Sequence, residues 1–348
     1  MRRNLILVWC LLALAYVNAQ PKKFMVRTVA FYNVENLFDT INDPHKFDDD
    51  RTPNGADRWT SKVYSDHVQK IAKVLSEIGA DVTHHAPDII GVAEIENDAV
   101  LTDLINTPYL KKYNYGIVHY ESPDARGVDV ALLYKQGVFK PSSSKAHPLY
   151  LTKEDGKPLY TRDQLLVSGD LDGEEVHFIV NHWPSRLGGE AKSRPMREKA
   201  AALNKQIIDS LLKINPNAKI MSMGDFNDDP INSGFKNILK TKDKKEDVKS
   251  GELFNPMEAM LKKGMGTLAY QDGWNLFDQI YFTYDLLKED KSSYRYWKAG
   301  IFNRPYLANP KGRYKGYPFR SMANGNYTWG YSDHFPVYIY LIREIKNK

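Results

Sequence analysis

Eight short runs rich in Val, Ile, Phe and Tyr dominate this chain: Val26–Val34, Ile89–Ile95, Tyr115–Tyr120, Val128–Tyr134, Val176–Trp183, Lys219–Met223, Phe277–Thr283 and Val337–Ile342. β-Branched and aromatic side chains suit a pleated surface, so each run is expected to form a strand. In "VHFIVNHW", Val176, Phe178 and Val180 alternate with His177, Ile179 and Asn181, the period of two that a strand imposes. Two long segments carry the helical period instead. Tyr64, Val68, Ile71, Leu75 and Ile78 recur at threes and fours, with Thr60 or Ser61 as cap and Gly79 as stop. Met196, Ala200, Leu203, Ile207 and Leu211 form a second stripe, with Pro195 near its first turn. "NDAVLTDLIN" reads as a shorter helix. Strands outnumber helices and often follow one another directly. The pattern predicts an α/β fold: two mixed sheets packed face to face, with helices outside.

The first twenty residues stand apart. "MRRNLILVWCLLALAYVNAQ" places Arg2 and Arg3 before the apolar stretch Leu5–Val17, and small Ala19 before Gln20. This is the pattern of a secretory signal over residues 1–19, cleaved near Ala19, followed by a single domain over residues 20–348. The apolar stretch is shorter than the roughly 20 residues of a membrane span. No other run is long enough, so no stable membrane insertion is expected. Cys10 is the only cysteine and lies in this leader. The rest of the chain therefore excludes a disulfide framework, a thiolate metal site and a cysteine nucleophile. Export without disulfides suits a bacterial secreted or periplasmic protein, expected to be a monomer. The net charge of +5 says little about a polyanionic partner.

Polar residues gather where the apolar runs stop. "FYNVENLFD" shows Asn33 and Glu35, "PDIIGVAEIEN" shows Glu94, and "VHFIVNHWPSR" ends at His182. "MSMGDFNDDP" ends at Asp225 and Asn227, "LFDQIYF" holds Asp278 inside an apolar run, and "WGYSDHFPV" puts Asp333 and His334 before the last strand. One Asp at a strand end is ordinarily a turn residue. Six such placements in one chain point to a shared site. Residues two apart in a strand share a face, so Asn33 with Glu35, and Asp225 with Asn227, are expected to aim oxygens together. Asn, Asp and Glu oxygens suit a hard cation such as Mg²⁺ or Mn²⁺, and zinc would require more His or Cys. His84–His85 before Pro87 reads as a loop, and so does "FDDDRTPNGAD", which matches a calcium loop only loosely. A hard cation with carboxylates and two histidines suits hydrolysis of a phosphate ester.

Taken in order, "FYNVEN", "PDIIGVAEIEN", "RGVDVALLY", "VNHWPSR", "GDFND", "LFDQIYF" and "SDHFPV" resemble the endonuclease/exonuclease/phosphatase superfamily. That superfamily includes pancreatic-type deoxyribonucleases, abasic-site endonucleases, neutral sphingomyelinases and inositol polyphosphate phosphatases. The matching segments run from residue 31 to residue 337. The resemblance implies a four-layered α/β sandwich. It implies Asn33 and Glu94 as metal ligands, Glu35 as a further one, and Asp333 beside the metal. Asp225 and Asn227 would position the attacking water, His182 and His334 would flank the scissile phosphate, and Asp278 would orient His334. The general base is open between Asp225 and His334; a neutral His334 as base would lose activity on the acid side near about 6.5. The implied cofactor is Mg²⁺, with Mn²⁺ as a substitute and Ca²⁺ as an additional ion. Ala93 in "GVAE" stands where many members have Gln, and "HWPSRLGG" is longer and more basic than the usual Thr-His form. This resembles a bacterial exported subgroup. Arg126 and Arg186 are candidates for phosphate contacts and equally for partners of surface carboxylates.

These features imply a secreted metal-dependent phosphodiesterase, a nuclease hydrolysing DNA or RNA. The alternative is a phosphomonoesterase or lipid phosphodiesterase of the inositol phosphate phosphatase or sphingomyelinase type. A catalytically dead binding module is disfavoured because every expected polar position is filled. Tyr294–Tyr331 favours the nuclease: it carries Arg295, Lys298, Arg304, Lys311, Arg313, Lys315 and Arg320 among many aromatics, and no Asp or Glu. Cations interleaved with rings suit a phosphate backbone with exposed bases, and this segment is expected to cover the rim of the cleft.

Overall fold

The computed structural model describes residues 23–345, so the leader expected in residues 1–19 lies outside them. Twelve strands build the two large sheets. They are β1 (Lys23–Leu37), β2 (Ile89–Ile95), β3 (Tyr115–His119), β4 (Asp129–Lys135), β5 (Phe139–His147) and β6 (Gln164–Leu171). There follow β7 (Glu174–His182), β8 (Ile220–Asp225), β9 (Leu253–Phe254), β10 (Asp278–Thr283), β11 (Arg295–Ile301) and β12 (Val337–Ile345). The first sheet runs β11-β12-β1-β2-β4-β3 and the second β9-β10-β8-β7-β6-β5. Each is mixed: β1 and β2 are parallel, as are β7 and β8, and their other neighbours are antiparallel.

The sheets pack face to face on one apolar core. Phe31, Leu132 and Ile339 from the first meet Phe178, Met221, Met223 and Ile280 from the second, all fully buried. Helix α1 (Ser61–Glu77) lays Val68, Ile71 and Leu75 on the outer face of the first sheet, and Thr60 caps it by accepting from Val63 N. Helix α2 (Asp98–Ile105) packs beside it. Helix α3 (Glu190–Ile214) covers the second sheet with Ala200, Ala201, Ile207 and Ile208 against Ile179, Ile220 and Tyr281. This gives the four layers helix, sheet, sheet, helix. Helix α3 begins earlier than its sequence suggests, so Pro195 lies inside it rather than near its first turn.

Strands β5, β6, β9 and β11 have no counterpart among the eight apolar runs. β5 and β11 are edge strands and leave much of their surface to water, so selection for apolar side chains is weak there. β5 also tolerates Pro141 at a register shift.

Candidate active site

The central strands of both sheets deliver their polar ends to one place. On β7, β8 and β10, Asp225 stands in register with His182 on one side and Asp278 on the other. Gly224 permits this close approach: a Cβ there would lie 2.4 Å from the carbonyl oxygen of Asn181. From the first sheet, Asn33 donates through Nδ2 to Asp225 Oδ2 at 3.1 Å, joining the two layers. Glu94 Oε1 lies 3.8 Å from His182 Nε2, which is also 3.6 Å from Asp225 Oδ2. His334, just before β12, holds Asp278 Oδ2 through Nδ1 at 2.7 Å, and its Nε2 faces Asp225 and Asp333 at 3.9 Å each.

The expectation that alternation along a strand aims these groups is not met. Glu35, Asn36, Glu94 and Asn227 adopt left-handed backbone, with φ of 54°, 57°, 64° and 50°. Such angles are uncommon outside glycine and cost on the order of 1–3 kcal/mol each. Register shifts fall between Asn33 and Leu37 and between Ala93 and Ile95. These bulges re-aim the side chains at the strand ends. Asn33 turns to Asp225, whereas Glu35 turns to Ser321 N at 2.5 Å and Arg320 Nε at 3.3 Å. Asn227 donates its backbone N to Asp225 Oδ1 and its Nδ2 to the Trp183 carbonyl.

Burial and mutual repulsion set the proton states. Burial, and then the Asp333 carboxylate, push Glu35 up to about 8 against the pull of Arg320. Burial pushes Asp225 up to about 6; the His334 cation opposes this and Asp278 adds to it. Burial alone would lower His334, but the Asp278 and Asp225 carboxylates and the Asp278 hydrogen bond hold it well above the ordinary histidine value. Burial, reinforced by Arg162, Arg126 and His334, holds His182 well below that value. The two histidines are thus set apart, one charged and one neutral, by their neighbours.

The donor set fits a hard cation. Asp225, Asp278 and His334 present ligand atoms within 4.8 Å of one another. Asp278 Oδ1 is buried without a hydrogen-bond partner among the described residues. Asn33, Glu94, Asp225 and Asp333 would hold such an ion, and Glu35 lies beside Glu94 and Asp333 with its oxygens on Ser321 N and Arg320 Nε.

Arg126 and Arg186, expected equally at a phosphate or beside a carboxylate, both have a carboxylate nearby, and Arg320 takes a different place from the one expected. Arg186 spends its guanidinium on the Asn227 carbonyl at 2.9 Å and on Asn232 Oδ1 at 3.1 Å, with Asp228 and Asp229 at 3.5 Å and the Phe277 ring beneath it. It braces the loop after β8. Arg126 is half exposed, 3.6 Å from Asp124, and close enough to lower His182. Arg320, grouped with the exposed cations by its sequence context, instead bridges Glu35 and Asp333.

Sequence reasoning missed Arg162, Asp124 and Ser332. Arg162 and Asp124 form a buried pair at 3.0 Å beneath His182, and Arg162 also donates to the Trp183 carbonyl at 2.7 Å. Ser332 accepts from His334 N and donates to the Asn33 carbonyl, locking the histidine loop to β1. Neither "TRDQ" nor "SPDARG" carries a pattern that marks a buried ion pair; Ser332 adjoins the Asp-His of "SDHFPV". Removing one member of a buried pair strands the other charge. Asp124→Ala is expected to destabilise the fold by about 3–5 kcal/mol, read as a lower denaturant midpoint in equilibrium unfolding. An unchanged midpoint would remove Arg162 from the supports of the site.

Two stacked mixed sheets, with carboxylates, an Asn and two histidines at their joined strand ends, define a metal-dependent hydrolase of phosphoester bonds. Residues 28–343 match the model of the Endonuclease/Exonuclease/phosphatase family, and the chain belongs to that family. No curated protein matches it in sequence. Similar solved structures include an endonuclease/exonuclease/phosphatase family protein from Bacteroides thetaiotaomicron, at 18% identity and TM-score 0.55, covering 94% of this chain and 98% of that one. A mannosyl-6-phosphatase from the same species matches at 19% identity and TM-score 0.52, covering 90% and 99%. D. rerio TDP2 complexed with a single-strand DNA product matches at 13% identity and TM-score 0.52, covering 91% and 98%. At these identities the likeness is one of fold.

Proposed function

We propose that this protein is an exported phosphodiesterase that hydrolyses nucleic acid, with water as the nucleophile. One observation carries the choice of a polymer over a small phosphate ester. A ladder of rings leads outward from His334. Phe335 stacks on Trp274 at 6.1 Å, Trp274 meets Tyr317 at 5.7 Å, and Tyr317 meets Tyr314 at 5.7 Å. Tyr314 is exposed, on a turn whose Lys311, Arg313 and Lys315 are also exposed and carry no ion pair among the described residues. Rings for stacking beside free cations suit a strand of nucleotides, each stacked base contributing about 1–3 kcal/mol.

Only this turn of the segment Tyr294–Tyr331 serves the reading. Arg295 and Lys298 lie on edge strand β11, Arg304 pairs with Asp81, and Arg320 belongs to the site. The expectation of one long loop over the rim is therefore replaced by a short one. The TDP2 structure with single-strand DNA shows that the fold accommodates such a ligand, and the leader in residues 1–19 supports export.

In this reading the ionised Asp225 accepts the proton of the attacking water, and Asn227 N fixes the orientation of its carboxylate. The His334 cation, held by Asp278, faces the phosphate and stabilises charge on its oxygens. Neutral His182 lines the opposite side. A divalent cation bound by Asn33, Glu94, Asp225 and Asp333 would supply further neutralisation of a phosphoryl oxygen.

The test is a substrate panel under Mg²⁺: plasmid, single-stranded DNA, RNA, mannose 6-phosphate, inositol phosphates and sphingomyelin. Cleavage of DNA or RNA well above the others is expected, whereas turnover of only a monoester or lipid would overturn the polymer reading. Changing Lys311, Arg313 and Lys315 together to Ala is expected to weaken single-strand binding at low salt. It should also flatten the salt dependence by roughly 0.7 for each phosphate no longer neutralised. An unchanged salt slope would remove the turn from the binding surface.

A further inference from the structure

Strand β1 leaves its ladders just where it enters the active site. Its pairing with β12 ends at Phe31, and its pairing with β2 breaks off at Asn33 and resumes at Leu37. Val34, Glu35 and Asn36 lie in the gap, and the first two are buried. Buried backbone groups that leave a ladder need partners elsewhere. Helix α1 supplies one. His67 on that helix is fully buried and donates through Nε2 to the Val34 carbonyl oxygen at 3.1 Å. A carbonyl oxygen only accepts, so Nε2 carries the proton of the ring. Burial pushes His67 down to about 4, which keeps the ring neutral.

The ring has no second hydrogen bond to justify it. Its Nδ1 is buried without a partner among the described residues. An apolar side chain would fill this core position without stranding a polar atom. The ring is nevertheless held firmly. Trp59 meets its edge at 5.5 Å and Tyr327 at 6.3 Å, and Tyr327 is itself tied by its hydroxyl to Asp66 at 2.6 Å. Trp59 Nε1 donates to the Phe38 carbonyl at 2.9 Å, beyond the far end of the same bulge.

The bond from His67 acts on the site through one rigid unit. The Val34 carbonyl and the Glu35 N–H belong to a single planar peptide, in which C=O and N–H point opposite ways. With the oxygen held on the helix side, the N–H is directed to Asn33 Oδ1, which it meets at 3.0 Å. The Asn33 amide then turns its nitrogen to Asp225 Oδ2, at 3.1 Å. The geometry points to His67 as a positioning residue, which sets the orientation of the Asn33 amide in the active site through the Val34–Glu35 peptide. The inference rests on the placement of Asn33 in the phosphoester site and not on the choice of nucleic acid as substrate.

The test compares the full chain with His67→Leu, which removes the donor, and His67→Gln, which restores an amide donor. Hydrogen exchange of the chelator-stripped proteins should show the Glu35 amide losing protection in His67→Leu, while Val29–Phe31 in the same strand keep theirs. With the best substrate of the panel above, kcat should fall about tenfold or more with little change in KM. His67→Gln should recover most of both. In an Asn33→Ala background, His67→Leu should cost little further, because the relay is already broken. Unchanged kcat per folded molecule, with protection lowered evenly along β1, would make His67 a core residue only and overturn the inference. If His67→Leu does not fold, His67→Gln decides. Wild-type kcat and Glu35 protection, or losses that vanish beside Asn33→Ala, support the relay; losses that multiply with those of Asn33→Ala overturn it. If no substrate of the panel is turned over, the reading above fails and the exchange comparison decides this inference by itself.

Discussion

Glu94→Gln is expected to lower phosphodiester hydrolysis by about 100-fold or more at saturating Mg²⁺, with little change in stability. The substitution preserves shape and volume. Glu94 Oε2 accepts from Asn36 N at 3.0 Å, and the amide oxygen of Gln can accept the same bond. The left-handed backbone at position 94 is untouched. What disappears is one negative charge at the meeting point of the two sheets, 3.8 Å from His182 Nε2. A structural role would show in the melting temperature and a charge role in the rate. Parallel activity assays and thermal melts separate the two. Near-normal turnover at saturating Mg²⁺ would remove Glu94 from the ion's ligands.

His334→Ala and His182→Ala are each expected to cost a large factor, and together much less than the product of the two. Both rings face Asp225, at 3.9 Å and 3.6 Å, so they act on one phosphate and fail as a unit. Independent, multiplicative losses would mean two separate roles. Their proton states make a further distinction. Carboxylate neighbours hold His334 protonated above the ordinary histidine value, so its cationic contribution is present at neutral pH and is lost as pH rises through its raised value. A neutral His334 base, which would fail on the acid side, is therefore replaced by a cation that fails on the alkaline side. The acid limb belongs to Asp225, whose carboxyl must ionise from about 6 before it accepts a proton. The pH–rate profile of His334→Ala should keep the acid limb and lose the alkaline one. An alkaline limb that persists in this variant would assign it to another group.

Much of this arrangement is written in the sequence where one physical rule dominates. Ile89–Ile95 is a strand buried on both faces, so its apolar run marks it without structural help. Asp278 stands out because an acid inside "LFDQIYF" is disfavoured unless something nearby requires it, and His334 Nδ1 is that partner. Edge strand β5 is illegible because it reads "FKPSSSKAH": solvent, rather than a core, chooses its residues. The aim of Glu35 and Glu94 was illegible for another reason. Period-two reasoning assumes an unbroken strand, and bulges with left-handed residues interrupt both. Nor does charge along a segment reveal pairing in space. Arg320 reads as a free cation in sequence, yet it is taken up by Glu35, far away in the chain. Arg162 and Asp124, 38 residues apart, left no local pattern at all.

Chelator-stripped protein assayed on single-stranded DNA, before and after Mg²⁺ is restored, tests the central claim most directly. The joined strand ends are held to hydrolyse a phosphodiester with the help of a hard cation. Cleavage should be absent in the stripped protein, return with Mg²⁺ or Mn²⁺, and fail to return in the Glu94→Gln chain assayed alongside. Hydrolysis that persists at full rate in the stripped protein, or returns equally in Glu94→Gln, would contradict the account.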